Sequence, residues 1–370
     1  MKFSVENEEL SSKMALASRS ISTSGGNTAL GGVLMTVEEG KLTFGATDGN
    51  RSIRIPVHLA SPPEGEGRVL VPGKLFPEVA RLLGSGSSQI EYRSSERDVA
   101  ITSGGSSFHI KTMPAEDFPP LPDVGGDSIS MPTEGLVESI DLVARAAARD
   151  DMRPVLTAVQ VVVSGSSFNM VATDSYRLAV NETDLGSPSS LEIDRNVPAD
   201  ALRELTRVIA TTGAESVKFG ASDREVVFEV EGVVLTTTTV EGQFPKYQQI
   251  FPEEWTHEVR LPRDELLESV RRVGKMAIKN RPLKLTFSSG ELTISASTPD
   301  LGDAEEKIPA AWGGDEMSIG FNAEFFREGI EGIAGGEILL KLISPLRPGL
   351  LQAVENEDFR YLIMPIRLED

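Results

Sequence analysis

The chain contains no cysteine, only 3 histidines and 2 tryptophans, and just 6% aromatic residues in a length of 370. The missing cysteines exclude a disulfide framework, a thiolate zinc centre and a thiol nucleophile. His58, His109 and His257 fall at unrelated points and lack metal-ligand spacing such as HExxH. There is no Walker A loop and no GxGxxG after a predicted strand, so nucleotide phosphates have no evident cradle. No apolar run approaches a membrane span, and the opening Met1-Lys-Phe-Ser-Val-Glu6 lacks the apolar core of a secretion signal. These absences predict a cytoplasmic chain with no cofactor and no membrane partner. Basic residues are also scarce, 36 against 56 acidic ones, for a net charge of −20. Spread evenly, that excess would argue against nucleic acid, because DNA affinity comes from Lys and Arg on phosphates.

What is present is a pattern written three times. Val33-Leu-Met-Thr-Val-Glu-Glu-Gly-Lys-Leu-Thr-Phe-Gly-Ala-Thr-Asp48 returns as Val159-Gln-Val-Val-Val-Ser-Gly-Ser-Ser-Phe-Asn-Met-Val-Ala-Thr-Asp174. A weaker copy reads Leu283-Lys-Leu-Thr-Phe-Ser-Ser-Gly-Glu-Leu-Thr-Ile-Ser-Ala-Ser-Thr298. Ala46, Ala172 and Ala296 mark the shared step, 126 and then 124 residues apart. A repeat of that length is a domain rather than a solenoid unit. Three domains follow, at 1–126, 127–254 and 255–370. Each opens on an amphipathic helix, over Glu8–Ile21, Leu136–Asp150 and Pro262–Arg281. A hairpin comes next, turning at Glu39-Gly40, Ser164-Gly165 or Ser289-Gly290. A second helix lies within Val71–Leu83, Val197–Ile209 and Phe321–Ile333, and further strands close each repeat. Three like domains predict a curved or ring-shaped body rather than an enzyme with one cleft.

Basic and acidic residues nearly cancel within the six helical windows, so all of the net negative charge lies on strands and loops. Arg145 and Arg149, Arg203 and Arg207, and Arg271, Lys275 and Lys279 fall four apart, on one face of a helix. Such rows read either as solvated faces with internal ion pairs or as a shared cationic surface. The recurring Thr47-Asp48 and Thr173-Asp174 sit at strand ends, where their side chains serve turns by bonding local backbone. Leu362-Ile-Met-Pro-Ile366 reads from its residues as a buried terminal strand or as an apolar binding surface. On residues alone, a β-rich hydrolase or a carbohydrate-binding repeat protein, monomeric with one dominant cleft, stays open.

Five further stretches carry a resemblance: Ala172-Thr-Asp-Ser-Tyr-Arg-Leu-Ala179, Phe244-Pro-Lys-Tyr247, Tyr361-Leu-Ile-Met-Pro-Ile-Arg-Leu368, Asp117-Phe-Pro-Pro-Leu121 and Leu301-Gly-Asp-Ala-Glu-Glu306. From end to end and in this order the chain resembles the beta subunit of bacterial DNA polymerase III, the sliding clamp family. The resemblance implies an α+β fold of three tandem clamp-type domains, with helices lining a ring and antiparallel sheets outside. It implies a DNA polymerase processivity factor without catalytic residues, working as a head-to-tail homodimer on double-stranded DNA without sequence preference. Its implied partners are the polymerase III alpha subunit, other proteins bearing a clamp-binding motif, and a clamp loader. By the same resemblance, Arg149, Arg203, Arg207, Arg271, Arg272 and Lys275 face the DNA. A peptide pocket takes Leu156, Thr173, Ser175, Tyr176, Arg177, Leu178, Pro245, Gln249, Ile250, Leu362, Ile363, Met364, Pro365, Ile366 and Arg367, with Arg177 fixing a peptide's polar ends. Phe108 and Ile110 on one side, and Met276 and Ile278 on the other, form the dimer contact. Ser175-Tyr176 replaces the family's Gly-His and Gln249 stands where a basic residue is common, so Tyr176 is expected to narrow the pocket. A specialised or drug-tolerant paralogue serving one polymerase is the variant reading within this fold.

Overall fold

The computed structural model describes residues 1–24, 27–122, 127–150, 152–222, 224–278 and 281–368. In chain order the elements are β1 (Lys2–Glu6), α1 (Asn7–Ala17), β2 (Gly32–Glu38), β3 (Lys41–Thr47), β4 (Arg51–Val57), β5 (Gly67–Pro72), α2 (Leu75–Leu82), β6 (Ser87–Arg93), β7 (Asp98–Ser103) and β8 (Ser106–Lys111). Then come β9 (Ser128–Pro132), α3 (Thr133–Val143), β10 (Ala158–Ser164), β11 (Ser167–Thr173), β12 (Arg177–Asp184), β13 (Ile193–Pro198), α4 (Ala199–Thr212), β14 (Ser216–Ala221), β15 (Glu225–Val230) and β16 (Val233–Thr238). The last are β17 (His257–Pro262), α5 (Arg263–Val273), β18 (Leu283–Ser288), β19 (Glu291–Thr298), β20 (Gly302–Pro309), β21 (Met317–Phe321), α6 (Ala323–Glu331), β22 (Glu337–Leu342), β23 (Gly349–Ala353) and β24 (Phe359–Ile363).

These residues divide into two compact units, Met1–Leu136 with Asp200–Thr239, and Val137–Ala199 with Val240–Asp370. The units cut across the second sequence repeat, because sheets run through neighbouring repeats. The first unit holds a four-stranded sheet, β1-β6-β7-β8, and an eight-stranded sheet, β5-β2-β3-β4-β16-β15-β14-β9. The second holds an eight-stranded sheet, β13-β10-β11-β12-β24-β23-β22-β17, and a four-stranded sheet, β20-β19-β18-β21. All the ladders are antiparallel, so each strand can bury one face and wet the other. Each eight-stranded sheet joins two four-stranded halves, at β4–β16 with Ile53 opposite Leu235, and at β12–β24 with Leu178 opposite Leu362.

Local chemistry accounts for the elements. On α4, Leu202, Leu205, Val208 and Ile209 are buried, and on α5 Leu266, Leu267, Val270 and Val273 are buried, each a one-sided apolar stripe. Asn322 caps α6, its Oδ1 accepting from the N–H groups of Glu324 and Phe325 at 2.9 and 3.0 Å. Glu39 and Gly40 both take positive φ, 50° and 73°, as a two-residue loop matched to strand twist requires.

Several sequence expectations change. Ser164 pairs with Ser167, so the second hairpin's loop is Gly165-Ser166 rather than Ser164-Gly165. A short strand, β1, β9 or β17, precedes the opening helix of each repeat and was not expected. Those helices are also shorter than their periodic windows, each tightening into a 3₁₀ turn at Ser18–Ser20, Ala144–Ala146 or Gly274–Met276. Arg149 therefore lies beyond helix α3, not on a face shared with Arg145. Burial of Ala144, Ala146 and Ala147 and the bond from Ala148 N–H to Leu156 O (2.8 Å) bend the chain there. Lys279 lies outside the described residues.

Candidate functional site

The β11–β12 turn of the second unit gathers most of the expected site residues. Thr173 Oγ1 donates to Arg177 O at 2.6 Å and accepts from Ser175 N–H at 3.1 Å. Asp174 Oδ1 accepts from the N–H groups of Tyr176 and Arg177 at 2.9 and 3.0 Å. The Thr-Asp step thus builds the turn, as its position predicts. Ser175 takes φ 78°, a conformation that favours glycine. Arg153 Nη1 donates to Ser175 Oγ at 2.8 Å and ties down that strained residue.

Arg177 corrects an expectation. Its side chain is 4% exposed, with Nε on Asp174 at 3.0 Å and Nη1 on Glu328. Nη1 also reaches Tyr361 Oη at 3.3 Å, Nη2 donates to Arg145 O at 2.5 Å, and the guanidinium lies 4.1 Å from the centroid of the Phe325 ring. Burial opposes its charge, but Tyr361 and Glu328 hold its pKa above the usual arginine range. Burial raises the Tyr361 phenol in turn, despite the cation beside it. Arg177 therefore locks helix α6 to the sheet instead of reaching out to a peptide.

Beside this knot the outer face of the sheet is apolar. Val171, Leu178, Val180, Phe244, Leu350 and Leu362 form one buried cluster, with Val155, Tyr247, Phe251 and Trp255 packed against it. Burial raises the Tyr247 phenol there. Exposed apolar side chains lie near these residues along the chain: Tyr176 (65%), Ile250 (42%), Leu346 (65%), Met152 (89%) and Met364 (39%). Met364 N–H donates to Tyr176 O at 2.9 Å, which extends the β12–β24 ladder past its last paired residue. Tyr176 projects to solvent on the rim, so it does not fill the floor. Leu156, Thr173, Leu178, Leu362 and Ile363 are buried, Pro245 is half-buried, and Gln249 is exposed on the 3₁₀ turn Tyr247–Ile250. Leu362 and Ile363 are thus core residues of a terminal strand, while Met364 is surface. Half-buried Pro365 leads away from this corner. Ile366 N–H bonds Gly320 O at 2.7 Å, and Ile366 and Arg367 line a 670 Å³ cleft with Arg281, Pro282 and Lys284 against sheet β18–β21. Sequence reasoning missed Met152, Arg153, Val155, Phe251, Trp255 and Leu346, which lie on short turns and linkers without periodicity.

Several basic residues of the second unit are ion-paired. Arg271 bonds Glu268 at 2.9 Å and Glu331 at 3.0 Å, and Arg272 bonds Glu306 at 2.7 and 2.8 Å. Those bonds, to Glu331 first for Arg271 and to Glu306 for Arg272, raise both guanidinium pKa values. Lys275 and Arg149 are exposed and make no ion pair among the described residues. Lys275 lines a 570 Å³ cleft with Arg271, Arg281 and Arg327. In the first unit, Arg203 and Arg207 share helix α4, and Arg207 and Arg19 bond the 2%-exposed Glu204 at 2.9 and 2.7 Å. On β8, Phe108 is half-buried and Ile110 buried, whereas Met276 is half-buried and Ile278 exposed after α5. The histidines are accounted for locally, His58 on Glu9, His109 on Arg93 and His257 stacked on Trp312. Among the described residues no helix is long and apolar enough to cross a membrane.

Family models for the N-terminal, central and C-terminal domains of the DNA polymerase III beta subunit match residues 1–122, 130–246 and 248–367. The chain belongs to the DNA polymerase III beta subunit family. Its fold is α+β, with three tandem clamp domains, and its role is that of a processivity factor rather than an enzyme. It is 33% identical over 380 residues to the beta sliding clamp of Streptomyces coelicolor, with 100% of both chains covered. It is 28% identical over 378 residues, 99% of each chain, to the beta sliding clamp homolog GriR of Streptomyces muensis. Among solved structures, the Thermotoga maritima beta subunit superposes with a TM-score of 0.92 at 26% identity, covering 100% of both chains. The Pseudomonas aeruginosa sliding clamp bound to griselimycin gives the same TM-score, identity and coverage.

Proposed function

We propose that two copies of this chain close head to tail into a ring on duplex DNA, and that the apolar corner of the second unit docks short linear peptides from the polymerase and other clients. The apolar floor of buried Leu178 and Leu362, with exposed Tyr176, Ile250 and Met364 beside it in the chain, carries the docking half of this reading. An apolar floor with a few polar groups at its rim suits a short peptide's large side chains. The griselimycin complex of the Pseudomonas relative supports a ligand site in this family. Leu156, Thr173, Ser175, Tyr176, Leu178, Ile250, Leu362 and Met364 form or support that corner, with Arg153 added from its bond to Ser175. Arg177 supports it from below.

The strand pattern supports the ring. Repeat offsets make β4, β12 and β20 equivalent, and likewise β16, β24 and β8. Two of the three possible joins, β4–β16 and β12–β24, are made within the chain. The remaining pair, β20 and β8, are both edge strands. Joining them between copies makes a heterologous contact that closes after two chains. Phe108, Ile110, Met276 and Ile278 are assigned to that contact, and the sequence domains 1–126, 127–254 and 255–370 to the three segments of each half-ring. Arg149, Arg203, Arg207, Arg271, Arg272 and Lys275 are assigned to sequence-independent phosphate contacts, with Lys275 and Arg149 the strongest because no carboxylate among the described residues holds them. A loader opens the ring, and the work takes place where the chromosome lies, in the cytoplasm. Light scattering at micromolar protein should give about twice 39.9 kDa. After loading, the protein should stay on circular DNA and run off once the DNA is linearised; equal loss from both would defeat the ring.

A further inference from the structure

We propose that Met364 and Met152 form an oxidation site at which hydrogen peroxide weakens client docking; the proposal rests on the docking role given above to the apolar corner. With no cysteine in the chain, methionine is its only sulfur, and there are 10 of them. Met14, Met35, Met131, Met170 and Met317 are buried. Met1, Met113 and Met276 are half-buried. The two exposed ones are Met152 at 89% and Met364 at 39%. Met364 N–H bonds Tyr176 O, and the two-residue period of a strand puts its side chain on the face of Leu362, a member of the apolar cluster. Met152 precedes Arg153, whose guanidinium holds Ser175 in the same turn.

The chemistry needs only peroxide. A thioether lone pair attacks one peroxide oxygen; an S–O bond forms as the O–O bond breaks. The departing hydroxide takes the proton from the new S–OH group and leaves as water, so sulfur is oxidised to the sulfoxide by two electrons and peroxide is reduced. The sulfoxide is polar where the thioether was apolar, and methionine sulfoxide reductases reverse it. An apolar client side chain must then strip water from the new oxygen on docking, an unfavourable step for a polar group left without a partner.

The test treats the full-length protein with graded peroxide. Peptide mapping by mass spectrometry follows each methionine, while fluorescence anisotropy follows a labelled linear peptide with leucine and phenylalanine side chains. Met152 and Met364 should convert first, with the five buried methionines unmodified. Peptide affinity should fall at least about tenfold in step with them and return after reductase treatment. In the double variant Met152→Leu, Met364→Leu, affinity should stay at its own starting value across the same titration. Conversion of buried methionines at the same rate, an unchanged affinity of the doubly oxidised protein, or a parallel loss in the double variant would each overturn the proposal. Failure of the untreated protein to bind the peptide, read before any peroxide is added, would overturn the docking role instead.

Discussion

At the β4–β16 join of the first unit and the β12–β24 join of the second, the same turn is made by the same bonds. Thr47 Oγ1 donates to Arg51 O at 2.8 Å and Asp48 Oδ1 accepts from the Asn50 and Arg51 N–H groups at 2.9 and 2.8 Å, as Thr173 and Asp174 do one repeat later. Gly49 takes φ 100° where Ser175 takes 78°. Arg51 Nη2 reaches Arg19 O at 3.2 Å, and its counterpart Arg177 reaches Arg145 O. The outward faces then part company. Val171, Leu178, Val180 and Leu362 in the second unit correspond to Gly45, Ser52, Arg54 and Thr236 in the first. At the first corner the chain covers itself: Phe118 packs with Ala29, Leu34 and Leu70, Leu121 packs against them, and Arg54 Nη2 donates to Leu121 O at 3.4 Å and Pro122 O at 3.3 Å. At the second corner the apolar face keeps an exposed rim. The backbone module is therefore shared, and four side chains on one face distinguish the covered join from the one proposed above to dock peptides.

The largest predicted contrast concerns the arginines beneath the turns. Glu328→Ala takes one of two carboxylate partners from the buried Arg177 guanidinium, and we expect about 2–3 kcal/mol of destabilisation by urea unfolding. Asp200→Ala removes the 71%-exposed partner of Arg51 and should cost less than about 0.5 kcal/mol. Equal losses would break the contrast between a buried carboxylate partner and an exposed one. The next effect tests whether the first corner is closed by fit. A Cβ on Gly45 would stand 2.8 Å from Leu121 Cδ1. Gly45→Val, which copies Val171, should cost about 1–3 kcal/mol by overpacking. An unchanged urea midpoint would mean that Leu121 is only loosely seated. A third substitution probes the open corner. Ile250→Ser alters an exposed side chain, so unfolding should shift by no more than about 0.5 kcal/mol. Affinity for an apolar client peptide should drop about tenfold, the size expected of an interface anchor. Full affinity in this variant would move the docking surface away from the 3₁₀ turn.

Much of this contrast was legible in the sequence, and the illegible part has a physical cause. Alternation and Gly-containing turns placed the hairpins, and helical spacing placed the helices, because both patterns arise from local backbone geometry. The Thr-Asp turns followed from the short polar side chains at strand ends. Which strands meet across repeats was not legible, since antiparallel pairing leaves no period in either strand; hence the eight-stranded sheets were missed. The site was half legible. Leu178, Ile250 and Met364 came from resemblance, and the apolar terminal strand came from composition. Arg177 was read as a peptide contact because a lone arginine gives no sign that Glu328, 151 residues later, will claim it. Arg153 and Trp255 were passed over because turns and linkers carry no periodic signal.

The third copy of the module sharpens the comparison through its smallest expected effect. Leu301 occupies the position of Arg51 and Arg177 and is 55% exposed, and the strand after it, β20, is an edge. Here the arginine comes from helix α5: Arg272 Nε and Nη2 bond the Glu306 carboxylate at 2.7 and 2.8 Å. Those bonds, above all, hold the Glu306 pKa below the ordinary 4.5. A group whose folded pKa is lowered binds fewer protons in the folded state, so its contribution is complete above the unfolded value and is lost as pH falls through the folded one. Both partners keep contact with water, so the contribution is small. Glu306→Gln should lower the urea midpoint slightly at neutral pH, and the gap to the parent chain should narrow steadily as the solution is acidified below 4.5. A gap that stays constant across that range would mean that glutamine disturbs packing rather than charge, and that the edge strand is not pinned by the ion pair.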